Sequence, residues 1–321
     1  MIEIDIRTRV FTAREQIHIL FPGEGYRHFP FFERNSLVFL DFPGIELPEV
    51  RPSSAARLKA QVVRSDKIRE WRTADDKSRT EPSRDISDYA TARQTARRTQ
   101  YATALIKFGY DLPDGSVIVV PGPGPFGTVR VAEVNGPLRW VKVPGYGDDL
   151  VPARSVRWIA SIPKRRFSED LINRLRLPIP LFILERSLEQ EVVKLAYDNF
   201  VYGGEYVATF DTTNPVFDSV DDFNIQAFVN LVAGALVALE EGEANNGFDL
   251  DDALRVLSLH TSQIPEMNSN INSPGFVRYI TQDVTALIIA TVMAIALSST
   301  PLSASAFQIV NSAAGPDDPC A

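Results

Sequence analysis

The chain is poor in the residues that build covalently or metal-stapled folds. Its 321 residues include one cysteine, Cys320, three histidines, three methionines and three tryptophans. A lone cysteine excludes an internal disulfide framework and a thiolate zinc site, so stability has to come from packed cores. No two histidines stand at metal-ligand spacing, and neither a metal nor a cofactor is expected. There is no phosphate-cradling G-K-S/T loop, no G-x-S-x-G elbow, and no Asp followed by Glu-x-Lys on a strand as in restriction-type nuclease cores. Basic residues are almost missing from the second half. Residues 188–321 hold only Lys194, Arg255 and Arg278 against 18 acids, a formal −15, whereas residues 1–187 hold 30 basic and 23 acidic side chains, a formal +7. The basic stretch can gain from counterion release on a polyanion, and the acidic one would be repelled by the same polyanion.

Long apolar runs are also scarce. Val284–Leu297 (VTALIIATVMAIAL) is uncharged but spans 14 residues, short of the roughly 20 a membrane crossing needs, and reads as a buried core helix. The opening MIEIDIRTRVF alternates apolar and polar like a strand and lacks the long apolar run of a signal peptide. A reducing cytoplasm, with no membrane partner, is the expected setting. Gly122-Pro-Gly-Pro-Phe-Gly127 matches G-x-G-x-x-G after a strand. A dinucleotide site needs those glycines to open a helix, but Thr128–Val134 reads as a second strand, so this is a hairpin turn.

The pattern along the chain predicts two domains, 1–187 and 188–321. The first mixes strands (the N-terminus, Ser36–Phe42, Ser116–Val120, Thr128–Val134, Val151–Ile159, Leu181–Glu185) with a polar helical stretch between 51 and 107. Ser168-Glu-Asp-Leu opens a short capped helix, and Asp75–Asp85 reads as a loop. The second domain reads as all-helical: Glu189–Phe200, Val220–Glu240, Leu250–Ser262 and Gly275–Ser299, with Gln263–Pro274 as a loop. The expected fold is therefore α+β, a small barrel-like domain followed by an all-α one. The apolar circumference of Val284–Leu297 predicts self-association or a partner protein for the second domain.

Arg154-Ser-Val-Arg-Trp158, then Pro163-Lys-Arg-Arg166, then a Ser168-capped helix and an apolar strand at Leu181–Leu184, is the most distinctive run. With Gly25-Tyr26 and the apolar strand Leu37–Phe42 ahead of it, it resembles the EVE/PUA-like N-terminal domain of Mrr-type restriction proteins. The resemblance covers about 1–187. It departs in a long basic insertion at about 51–85 and in the lack of a following nuclease domain. It implies binding of nucleic acid, DNA above all and with a modified base in view, in bacterial defence against foreign DNA. An aromatic wall for an unstacked base would come from Trp158, Phe42, Tyr101 and Trp140. Phosphate contacts would come from Arg154, Arg157, Lys164, Arg165 and Arg166, with Arg93, Arg97 and Arg98 on the helix. For each aromatic taken singly, core packing is the favoured alternative, and Lys164–Arg166 can equally be a solvated turn.

An alternative lies in the acidic half. Arg255-Val-Leu-Ser-Leu-His260 resembles the Arg/His signature of HEPN ribonucleases, in which arginine stabilises phosphate charge and histidine moves protons. Val256 departs from that pattern, and residues five apart lie about 140° apart on a helix. A third reading makes the chain a non-catalytic subunit of a larger complex.

Overall fold

The computed structural model describes residues 2–5, 8–52, 56–74, 80–90, 95–212, 218–243, 248–270, 275–297 and 307–310. Two compact units divide it: residues 15–192, and residues 1–14 together with 193–321. The first is thus an insertion within the second. The charge asymmetry follows the units, with 27 basic and 23 acidic side chains in residues 15–192 (+4) and 6 against 18 in the remainder (−12).

The chain begins with two short strands of the outer unit, β1 (Ile2–Asp5) and β2 (Arg9–Val10). The inserted unit then runs β3 (His18–Leu20), α1 (Phe29–Asn35), β4 (Leu37–Phe39), α2 (Ala56–Thr73), α3 (Ala96–Tyr110), β5 (Val117–Pro121), β6 (Thr128–Val134), β7 (Arg139–Val141), β8 (Val151–Pro163), α4 (Glu169–Leu175) and β9 (Leu181–Ile183), and α5 (Arg186–Ala196) begins in it. Its seven strands form one mixed sheet in the order β4-β8-β6-β5-β3-β9, with β7 beside β8. Only β3 and β5 are parallel; the other pairs are antiparallel. β5 and β6 are joined by the Pro/Gly hairpin at 122–127, as their apolar runs predict. β5 is buried along its whole length, so the sheet is covered, and Phe32, Phe39, Leu105 and Phe108 from α1, β4 and α3, with Phe42 just beyond β4, join one core with Ile118, Val120 and Ala132. Thr95 caps α3 and Ser168 caps α4, each through its side-chain oxygen.

The outer unit resumes with β10 (Phe200–Tyr202), β11 (Glu205–Thr212), α6 (Ser219–Glu240), α7 (Leu250–Leu259), β12 (Glu266–Asn270), β13 (Gly275–Thr281), α8 (Thr285–Leu297) and β14 (Phe307–Val310). Its five-stranded sheet has the order β12-β13-β11-β10-β2, and β1 pairs in parallel with β14.

The expected fold class is corrected on both halves. The inserted unit is a mixed sheet whose edge strands β4 and β9 do not pair with each other, not a small closed barrel. The acidic half is not all-helical. Gly275–Thr281, read as the opening of a long helix, is β13, and Glu266–Asn270, read as loop, is β12. The cause is a change of period. Val277 and Tyr279 are buried against Val229, Ile289 and Met293, with Arg278 between them on the opposite face, a two-residue alternation hidden by the apolar helix that follows. That helix, α8, buries Ala286, Leu287 and Ile289, in keeping with a core role. Among the described residues α6 alone is long and apolar enough to cross a membrane, by length and composition. Asp218 caps it and Asp221 completes a reciprocal capping box.

Candidate functional site

The inserted unit carries a cavity of about 220 Å³ lined by Phe21, Gly23, Glu24, Gly25, Asp41, Phe42, Arg69, Arg97, Tyr101, Pro178 and Pro180. Each wall has a local origin. Residues 21–26 leave β3 in a tight loop with Gly23, Gly25 and Tyr26 at φ 79°, 62° and 59°. Positive φ at Tyr26, at the end of this loop, is uncommon for a residue with a side chain. Asp41 and Phe42 follow β4 directly, Arg69 comes from the last turns of α2, and Arg97 and Tyr101 come from the first turns of α3.

Phe42 and Tyr101 pack edge to face with centroids 5.2 Å apart. The Arg97 guanidinium lies 5.1 Å from the Tyr101 ring centroid, and its Nε donates to the tyrosine hydroxyl at 2.5 Å. Behind them is a dense polar network. Arg27 Nη2 reaches Asp41 Oδ2 at 2.5 Å, and the Tyr146 hydroxyl donates to Asp41 Oδ1. His28 Nε2 lies 3.1 Å from Asp41 Oδ1 and 3.1 Å from Arg27 Nε. One nitrogen cannot serve both: protonated it donates to the carboxylate, unprotonated it accepts from the guanidinium. Arg69 Nη1 donates to the Asp41 carbonyl at 2.9 Å and Nη2 to Asp66 Oδ1 at 2.5 Å.

The electrostatics follow from these contacts. Burial pushes the Asp41 carboxyl up, but the hydrogen bond and charge of His28, with Arg27 and Tyr146, overcome it and hold it down at about 2. Burial, and then the Asp41 charge, push the Tyr146 phenol well above its ordinary value. Burial likewise raises the Asp66 carboxyl against the pull of Arg69 and Arg97. Asp41 is thus a fixed anion and Tyr146 a fixed donor across the neutral range.

The structure brings together three of the residues singled out from sequence: Phe42, Tyr101 and Arg97. The others lie elsewhere. Arg154, nominated for phosphate, is buried and donates to Gly136 O, Leu112 O and Asp114 Oδ1 at 2.6, 2.8 and 3.0 Å; it ties the turn beside β8. Lys164 is also buried, and its Nζ donates to Gly122 O and Gly124 O at 2.6 and 2.7 Å, which holds the hairpin. Both are internal clamps, because a buried cation keeps its charge only with such partners. Arg157 is exposed but pairs with Glu133 at 2.6 Å. Trp158 packs at the margin of the core with Arg130 5.0 Å over its ring, and its indole N–H is buried without a hydrogen-bond partner. Trp140 is 39% exposed, donates to Ile45 O at 3.1 Å, and lines a separate depression with Arg84 and Asp149. Arg165 and Arg166 are exposed in a 3-10 turn and make no ion pair among the described residues. Arg98 is half-buried in the first turns of α3, and Arg93 lies outside the described residues. In the outer unit, Arg255 is exposed on α7 and 3.7 Å from Asp252, and His260 is the capping residue beyond the helix end. Among the described residues no hydrogen bond or ion pair joins the two.

Sequence reasoning missed Asp41, Arg69, Arg27, His28 and Tyr146. Asp41 had a signal, an acid at the end of the apolar run Leu37–Leu40 and next to Phe42. Arg69 stands in the basic stretch 51–85, where charge alone does not separate a cavity residue from a solvated one. His28 and Tyr146 are 118 residues apart and carry no local pattern. No family model matches the chain, and neither a curated protein nor a solved structure does.

Proposed function

We propose that residues 15–192 bind nucleic acid and that the cavity at Phe42 and Tyr101 takes one unstacked base. The observation that carries this reading is the convergence of two aromatic side chains, the Arg97 guanidinium and the Asp41 carboxylate on one cavity of about 220 Å³. That volume suits a single planar ring system and is below the roughly 300 Å³ at which drug-sized sites begin. Aromatic and guanidinium surfaces accept a base face, and fixed polar groups read its edge. Arg165 and Arg166 are exposed cations available to phosphates, Arg154 and Lys164 being assigned to the interior. The likeness of the 154–184 run to Mrr-type restriction proteins supports DNA as the polymer and defence against foreign DNA as the setting. A single cysteine suits the reducing cytoplasm this implies. The acidic unit would assemble copies or dock a partner; Val220, Phe223, Leu254 and Leu259, exposed on α6 and α7, support that role.

The test is a salt-dependent titration of the full chain with single-stranded and duplex DNA. Single strands should bind more tightly, because no base has to be unpaired first. Arg165→Ala with Arg166→Ala should lower the log–log salt slope by about 1.5 to 2. Arg97→Ala should cost about 1 kcal/mol or more at any salt. Affinity and slope unchanged in both variants would overturn the reading.

A further inference from the structure

Asp41 has an acceptor position to spare, and the surrounding geometry decides where it points. A carboxylate offers about four acceptor sites. With the His28 Nε2 proton directed at the carboxylate, it and the Tyr146 hydroxyl meet Oδ1, while Arg27 meets Oδ2. The unfilled site is therefore on Oδ2. That oxygen lies beside Gly23: a Cβ built there would stand 3.1 Å from Oδ2 and 2.6 Å from His28 Cδ2. The bare glycine, at φ 79°, leaves the carboxylate edge open to the cavity both residues line. Arg69 grips the Asp41 backbone carbonyl from α2 and so holds the main chain there, while Tyr146, His28 and Arg27 hold the carboxylate itself.

The charge around the cavity narrows the ligand further. Its lining carries two carboxylates, Glu24 and Asp41, and two guanidiniums, Arg69 and Arg97. A free cation gains nothing net from such a lining. A neutral ring with a donor at one edge and acceptors beside it matches the buried acceptor and the arginine donors together.

We propose, on the base-pocket reading above, that Asp41 Oδ2 is the specificity-determining acceptor of this cavity and that its ligand is a base bearing an exocyclic amine, cytosine in kind and not thymine. Cytosine presents an N4 amine where thymine presents a carbonyl oxygen. Thymine would set that oxygen against a carboxylate and leave both acceptors unpaired, which discriminates more strongly than a missing apolar contact does. The carboxyl stays ionised across the neutral range, so the acceptor is always available.

The test uses the full chain and three short oligonucleotides: oligodeoxycytidine, oligodeoxythymidine, and an analogue in which each cytosine amine is replaced by hydrogen. The analogue keeps ring, stacking face and backbone. Oligodeoxycytidine should bind about tenfold or more tightly than either of the others, the size expected for one hydrogen bond to a charged group. Gly23→Ala, which would cover Oδ2, should erase that preference so that oligodeoxycytidine and oligodeoxythymidine bind alike, with a thermal scan reporting whether the variant folds. If all three oligonucleotides bind equally, the amine assignment fails and the base pocket stands. If none binds, the base pocket fails and the assignment with it. Should Gly23→Ala not fold, the oligonucleotide series decides the matter alone.

Discussion

Asp41 shows how a single side chain links stability to function in this unit. Its carboxyl is held at about 2 in the folded chain against an ordinary value of 3.8. Its contribution is therefore complete above about pH 4 and disappears as the pH falls through about 2, some 2 kcal/mol in all. Asp41→Asn should flatten this acid limb of a stability–pH curve and leave its neutral-to-basic part parallel to the parent's, as urea unfolding at a series of pH values would show. Lys164 offers a contrast within a cluster of three basic residues. Lys164→Met leaves two carbonyls of the hairpin without their donor and should cost about 1–3 kcal/mol. Replacing its exposed neighbours Arg165 and Arg166 should leave the melting temperature within a degree or two, since surface changes of this kind are nearly neutral. Side-chain chemistry alone could not separate these neighbours, because burial is set by the turn that folds over Lys164 from residues 122–127. For Asp41 the local signal, an acid at the end of an apolar run, gives its place but not its role, which rests on the convergence of Arg27, His28 and Tyr146 from distant positions.

Helices and strands in this chain were legible where their period was long and their ends were marked. The hairpin of β5 and β6, the Ser168 cap of α4 and the span of α6 all followed from local residues. β12 and β13 did not, because Asn, Ser and Gly obscure a short strand and the apolar α8 begins within four residues of β13. Edge and pairing decisions of this kind are made by tertiary partners and not by propensity. The α6–α7 pair carries a close crossing with a clear consequence. A Cβ on Gly234 would stand 2.6 Å from Ala253 Cα and 2.8 Å from its carbonyl oxygen. A glycine in the middle of an exposed helix normally gains about 1 kcal/mol on replacement by alanine. Here Gly234→Ala should instead lose about 1–3 kcal/mol, because backbone and not a flexible side-chain tip stands in the way. Thermal unfolding followed by circular dichroism would read the sign directly.

At the scale of the whole molecule the dominant fact is that one unit interrupts the other. The ends of the insertion are tied to each other: Leu184 N donates to Ile17 O at 2.8 Å, Ile17 N to Glu189 Oε1 at 3.1 Å, and Arg186 Nη1 to Glu15 O at 2.7 Å. A fragment of residues 15–192 should therefore fold cooperatively by itself. A fragment starting at 193 should not, since it lacks β2, the strand that pairs with β10, and β1, the strand that pairs with β14. Limited proteolysis of the two fragments would check this; rapid loss of 15–192 to protease would contradict it. The charge step at 187/188 lies near one end of the inserted unit, but an interrupted unit leaves no compositional trace when its first segment is only 14 residues long. The β1–β14 pairing also has a temporal meaning. Ile2 pairs with Phe307, and at about 5–20 residues per second a ribosome needs roughly 15–60 s to travel from one to the other. Throughout that interval β1 waits without its mate, while the inserted unit behind it can already close. The order of synthesis and the order of assembly are thus opposed for the outer unit, whose first-made strand is the last to find its place.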